Sequence, residues 1–258
     1  MTNYEDVEYS LENLHWFPEL FNANDIILLP WGSVEAHNSH LPYGTDSILV
    51  EYIAKESAKR VRKKGIKVII LPTIKYGVNC SQMDIPLTIN LNPSTQYIIL
   101  KDIVDSLEIQ GYKKLIILNG HGGNSFSHIL RELYPKTSIF ICCTNWYESI
   151  ESGVFFVDPG QHAGELETSC MLKIAPHLVK DLNTAGDGKI HSIKIPSLNE
   201  RWAWAQRGWF QKTTYDTGCG NPHLAKKENG EQFLEATIGK VVKLITEVSN
   251  ADLSNLYE

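Results

Sequence analysis

Lys114 to Leu118 reads KLIIL, and runs of the same kind occur twice earlier, as DIILL from Asp25 to Leu29 and KVIIL from Lys67 to Leu71. Each is apolar at consecutive rather than alternate positions, the pattern of a strand covered on both faces in a parallel sheet. A fourth run, Ser138 to Thr144, contains Cys142 and Cys143 and reads the same way. Between these runs the apolar period changes. From Ser47 to Lys64, Val50, Ala54, Ala58 and Val61 recur on one helical face, and Gly65 supplies a stop. From Ser94 to Gln110, Tyr97, Leu100, Val104 and Leu107 do the same between Pro93 and Gly111. Further helices are expected from Ser125 to Leu133, ahead of Pro135, and from Glu165 to Ile174, ahead of Pro176. The last should run from about Pro222 to Val248, with Leu234, Ile238, Val241, Ile245 and Val248 as its inward stripe. Strand alternating with helix predicts an α/β fold, a parallel sheet with helices on both faces. Asp187 to Gly220 has weak periodicity and three tryptophans, and reads as a long ordered loop or excursion.

The chain has 258 residues, fewer than two domains of ordinary size, and no repeat, low-complexity tract or Gly/Pro/Ser-rich linker divides it. Residues 1–258 are therefore expected to form one domain. Apolar residues make up 43% and charged ones 21%, which excludes a disordered or collagen-like chain. The formal charge is 24 minus 30, or −6, and this argues against a nucleic-acid partner. No apolar run approaches the ~18 residues of a membrane span. The opening stretch MTNYEDVEYS is acidic and polar, the wrong chemistry for a secretory signal, so no membrane association is expected. Five cysteines without a Cys-x-x-Cys pair fit reduced thiols in the cytoplasm better than a disulfide framework.

In an open parallel sheet ligands bind at the carboxyl ends of the strands, so the loops there carry the chemistry. The first loop holds Glu35 and His37, two residues apart and hence on one side of an extended backbone, then His40 and Asp46. Two carboxylates and an imidazole can form most of a divalent-metal site. Asp46 also has the alternative of a helix N-cap, and His40 that of a supporting donor or a surface histidine. The loop after the third strand, Asn119-Gly120-His121-Gly122-Gly123-Asn124, offers His121 as a ligand, or else a tight turn or an anion cradle. No Gly-Lys-Ser/Thr follows and Gly-x-Gly-x-x-Gly is absent, so a nucleotide loop is disfavoured. A third group, His162 to Ser169, places Glu165 and Glu167 in the first turn of a helix, where they either complement its dipole or face a metal. His162 there suits a proton shuttle. The three groups together, all at strand ends or helix starts, favour the metal site.

The set Gly32-Ser33-x-Glu35-x-His37, His40-Leu41-Pro42, Thr45-Asp46, Asn119 to Asn124, and His162-Ala163-Gly164-x-x-Glu167-Thr168-Ser169 resembles the creatininase family, with Thr217 to Pro222 as a weaker echo. The resemblance implies a three-layer α/β/α fold with a central, largely parallel sheet. It places metal ligands at Glu35, His37, Asp46 and His121, with Asp46 bridging, and the proton-shuttling histidine at His162. Creatininase carries a glutamate two residues after the histidine that falls on His121, and Gly123 stands there instead. That leaves either one ion or a weaker second site, or Glu167 as the carboxylate that completes it, with Glu167 as ligand or acid–base. One or two divalent ions are implied, zinc first and manganese or iron as alternatives. A small-molecule substrate and a homo-oligomer, a hexamer by resemblance, are also implied.

The expected activity is that of a metal-dependent amidohydrolase. It would use metal-activated water to cleave an amide-type C–N bond, in a cyclic amide or formamide. Coordination lowers the pKa of water from about 16 to about 7. His162 would then protonate the leaving nitrogen. The same site opening a lactone or a cyclic ketone of a sugar-like substrate is an alternative, and a non-catalytic metabolite or nucleotide binder is another. Asn38-Ser39 and Ser81 to Thr88 depart from the family pattern and are expected to line the mouth of the pocket, with Tyr43, Tyr76, Trp146 and Trp209 as candidate walls.

Overall fold

Isoleucine, leucine and valine fill three of the four strands of the computed structural model, which describes residues 10–16, 22, 25–200, 202–203, 205 and 214–257. The strands are β1 (Ile26–Trp31), β2 (Val68–Ile70), β3 (Lys114–Asn119) and β4 (Phe140–Asn145). They lie in the order β2-β1-β3-β4 and every neighbouring pair is parallel. Ile26 stands opposite both Val68 and Lys114, and Trp31 opposite Asn119, so β1 and β3 end level.

The continuous apolar runs follow from burial on two sides. Ile26, Leu28, Val68, Ile70, Ile116 and Leu118 face one core, and Ile27, Leu29, Ile69, Leu115 and Ile117 face another. The first core is closed by α1 (Thr45–Arg62), α4 (Glu165–Ile174) and α6 (Lys227–Asn250). The second is closed by α2 (Pro93–Ile109) and α3 (Phe126–Leu133). Each fully buried Leu or Ile contributes roughly 1.5–3 kcal/mol, which fixes which face of each helix turns inward. The result is helix, sheet, helix. β4 is half-buried along its whole length, as befits an edge.

Two boundaries differ from the sequence expectation. Pro222 to Leu224 forms a separate 3₁₀ turn capped by Asn221, whose side chain accepts from His223 N at 3.0 Å. The chain then runs extended, Lys226 N donates to Ser169 Oγ, and α6 starts only at Lys227. At α1 the helix begins at Thr45, so Asp46 lies inside the first turn and makes no cap. The excursion from Asp187 to Gly220 contains one short helix among its described residues, α5 (Pro196–Asn199). No helix among the described residues is long and apolar enough to cross a membrane.

Candidate functional site

The loops leaving β1 and β3 emerge at the same edge of the sheet, and the segment entering α4 packs against them. This brings Glu35, His37, Asp46, His121 and His162 together as buried side chains, with Glu167 partly buried beside them. His121 Nδ1 lies 2.9 Å from Glu35 Oε1 and 3.1 Å from Asp46 Oδ2. On the other side of Asp46, Oδ1 lies 3.2 Å from His37 Nε2, which is 4.0 Å from Glu167 Oε2. Glu35, Asp46 and His121 form one triad whose ligand atoms lie within 4.8 Å of one another, and His37, Asp46 and Glu167 form a second. Asp46 presents one oxygen to each.

Backbone carbonyls set which ring nitrogen faces the cluster. A carbonyl only accepts, so His37 Nδ1–H donates to Glu35 O at 3.0 Å and turns Nε2 inward. His121 Nε2–H donates to Val78 O at 3.0 Å and turns Nδ1 inward. His162 Nε2–H donates to Ala36 O at 2.7 Å, which leaves Nδ1 3.5 Å from Glu35 Oε1. Fixing the outer nitrogen in this way orients an imidazole as a ligand or proton carrier.

The electrostatics are those of a cluster built around positive charge. Burial opposes charge on His37, but Asp46, Glu167 and Glu35 outweigh it and push the pKa up to about 10. His121 is likewise raised, against burial, by Glu35 and Asp46. Burial would raise Asp46 and Glu35, yet the neighbouring imidazoles hold both below the ordinary carboxylate range. Glu167 is raised by burial, which His37 and His162 only partly offset. Asp46 Oδ2 is buried and, apart from His121 Nδ1 at 3.1 Å, has no hydrogen-bond partner among the described residues. A mixed nitrogen and oxygen donor set with such an atom at its centre fits a divalent ion.

Other residues support the cluster, and Gln82 among them lies outside the sequence motifs. Gln82 is fully buried and its amide donates to Glu35 Oε2 at 2.7 Å. Asn124 ties the histidine loop down: its Oδ1 accepts from Val78 N and Gln96 Nε2, and its Nδ2 donates to Asn119 Oδ1. His40 is buried, with Nε2 2.8 Å from Thr168 Oγ1, and so braces the first turn of α4 beside Glu167. Glu165 accepts from the backbone of Val157 and Asp158 and points away from the cluster. Gly123 admits no side chain, because a Cβ there would meet Val78 O at 2.1 Å and His121 Nε2 at 2.4 Å.

The cluster opens into a cavity of about 480 Å³ whose walls include Tyr147, Glu148, Ser152 and Gln161. A larger groove of about 960 Å³, beside Ile27, Leu71 and Tyr112, holds none of the predicted ligands, so the smaller one is the candidate site. The expected walls are elsewhere. Trp146 is buried in the core against Phe233, the Tyr43 hydroxyl donates to Pro86 O, Tyr76 is an exposed residue outside the lining, and Trp209 lies outside the described residues. Asn38 and Ser39 bond to Gly186 and Thr184 instead, rooting the excursion on the first loop. The segment from Ser81 to Thr88 sends Gln82 beneath Glu35 rather than lining the cavity.

A parallel sheet that gathers three histidines and three acids at its strand ends defines an α/β protein with a donor set able to hold a divalent ion. Residues 13–245 match the family profile for creatinine amidohydrolase. The chain belongs to the creatininase family. It is similar to a candidate creatinine amidohydrolase from Bacteroides fragilis solved by crystallography, with 39% identity and a TM-score of 0.89 over 97% of this chain and 99% of that one. It is 28% identical to a 3-dehydro-scyllo-inosose hydrolase of Thermotoga maritima, over 87% of this chain and 78% of the relative. A creatininase structure described as the manganese form shares the fold, with a TM-score of 0.78 at 21% identity over 95% of this chain and all of that one, 100%.

Proposed function

We propose that this protein is a metal-dependent hydrolase that cleaves an amide-type C–N bond in a small molecule. The observation that supports it most is the pair of triads, buried except for a partly buried Glu167, that share Asp46 and face one cavity. Glu35, Asp46 and His121 would hold one divalent ion, and His37, Asp46 and Glu167 a second. Such an ion, when bound, supplies Lewis acidity toward a carbonyl and lowers the pKa of water it coordinates. Solved creatininases described as manganese and zinc–zinc forms make those two metals the first candidates here.

The chain's own groups do the rest. His162 keeps Nε2 on Ala36 O and turns Nδ1 toward Glu35, so Nδ1 is the atom placed to hand a proton to a leaving nitrogen. Glu167 accepts from Ala163 N at 2.5 Å through Oε2, which ties the carboxylate to the segment that carries His162. The Thermotoga relative's name supports a second reading, in which the same site opens a ring beside a carbonyl in a sugar-like molecule. Calorimetric titration of metal-stripped protein with manganese or zinc, followed by assay on cyclic amides and formamides, tests the proposal. Tight uptake of one or two ions with hydrolysis is the expected result; uptake without hydrolysis of any amide would shift the case to the second reading. No uptake would sink both.

A further inference from the structure

Away from the ligand cluster the cavity changes character. Its outer wall is formed by Tyr147, Glu148, Ser152 and Gln161, and no lysine or arginine stands among its described lining residues. Glu148 is held in place from behind: Asn145 Nδ2 donates to its Oε2 at 2.7 Å, and Asn119 Nδ2 donates in turn to Asn145 Oδ1. Asn119 also contacts the His121 loop, its Oδ1 accepting from His121 N. A chain of side-chain amides thus couples an acidic group at the mouth to the loop that carries a candidate ligand. The Tyr147 hydroxyl lies over Gly122, 3.8 Å from where a Cβ would stand there. Burial, with Glu148 and Asp46 nearby, raises the tyrosine's pKa, so the hydroxyl keeps its proton and can donate.

We propose that the cavity selects an uncharged, hydroxyl-rich ring, and that Glu148 is the residue that excludes phosphorylated or carboxylate-bearing substrates. This rests on the second reading above, in which the same site opens a ring in a sugar-like molecule. A hydroxyl, an amide, a second hydroxyl and a carboxylate are the partners that a polyol satisfies, since each sugar-type hydroxyl both donates and accepts. A phosphate in the same place would meet Glu148, and like charge placed against like disfavours binding. Flat cationic rings are usually held on an aromatic face. The described lining has Tyr147 as its aromatic residue and directs that hydroxyl over Gly122, while Trp146 is turned into the core.

The test uses the whole protein loaded with manganese, once metal titration has given the stoichiometry. Calorimetry then compares myo-inositol, myo-inositol monophosphate and creatinine. Wild type should bind inositol roughly tenfold or more tighter than its phosphate ester, and tighter than creatinine. Glu148→Gln should shrink the inositol-to-phosphate ratio by about tenfold at unchanged metal stoichiometry, and Glu148→Asp should restore part of it. Preference for the phosphate ester or for creatinine, no binding of inositol, or a ratio unmoved by Glu148→Gln would overturn the proposal. Failure of the protein to take up metal would instead sink the hydrolase reading.

Discussion

His121 meets both Glu35 and Asp46, whereas Gln82 touches only the far oxygen of Glu35, and that difference in contact predicts a difference in effect. His121→Ala should abolish tight metal binding and activity together, and elemental analysis that finds metal retained would refute its role. Gln82→Leu should leave the fold intact by circular dichroism while weakening metal affinity roughly 10–100-fold, as removal of an outer partner does. An unchanged affinity would show that Glu35 needs no support. Glu35, His37, Asp46, His121, His162 and Glu167 were legible in the sequence because each sits in a short motif beside a strand end or a helix start. Gln82, Tyr147 and Glu148 were not, because they come from stretches with no periodic pattern and act through contacts across the fold. Trp146 and Tyr147 show the difficulty well. They are adjacent aromatics, and only their orientation after β4 decides that one fills the core and the other lines the cavity.

The histidine loop and the edge strand each make a prediction of their own. Gly123→Ala would press a methyl group into Val78 O and the His121 ring. The loop must then shift, at a cost of about 1–3 kcal/mol as for other overpacked sites. Denaturant unfolding should show that loss, and metal titration a weakened site; a neutral variant would mean the loop gives way freely. On β4, burial pushes the Cys142 thiol up to about 11, and burial with Cys142 and Glu148 nearby pushes Cys143 up to about 12, from an ordinary value near 9.0. The folded thiols thus keep protons that the unfolded chain gives up. Their contribution to stability is full below about pH 9 and is lost as pH rises through 11 to 12. The fall in stability over that range should flatten in Cys142→Ala/Cys143→Ala, and an identical pH profile would count against the assignment. The strand was readable from its apolar run, but its half-exposed state was not, since edge position depends on which strands pair.

At the scale of the molecule, two cores flank the sheet while the ligand cluster sits at its rim, so the fold does not depend on metal in the way a zinc finger does. Chelation should leave the circular dichroism spectrum in place. It should still lower the melting temperature, because an ion present at a hundred times its Kd contributes about 2.7 kcal/mol. For a chain of this size that corresponds to roughly 5–10 °C; collapse of the spectrum on chelation would contradict the two-core account. The layer order was predictable from alternating periods, whereas the close seating of α4 on α6 was not. A Cβ on Gly230 would meet Ser169 O at 2.1 Å, so a single glycine in α6 allows the helix bearing Glu167 to sit where it does. The order of these residues along the chain has a temporal consequence. As the polypeptide leaves the ribosome, the triad of Glu35, Asp46 and His121 has all its members well before the triad that waits for Glu167 and the α6 that braces it. A nascent chain stalled in that interval would contain every residue of the first triad and lack the last carboxylate of the second.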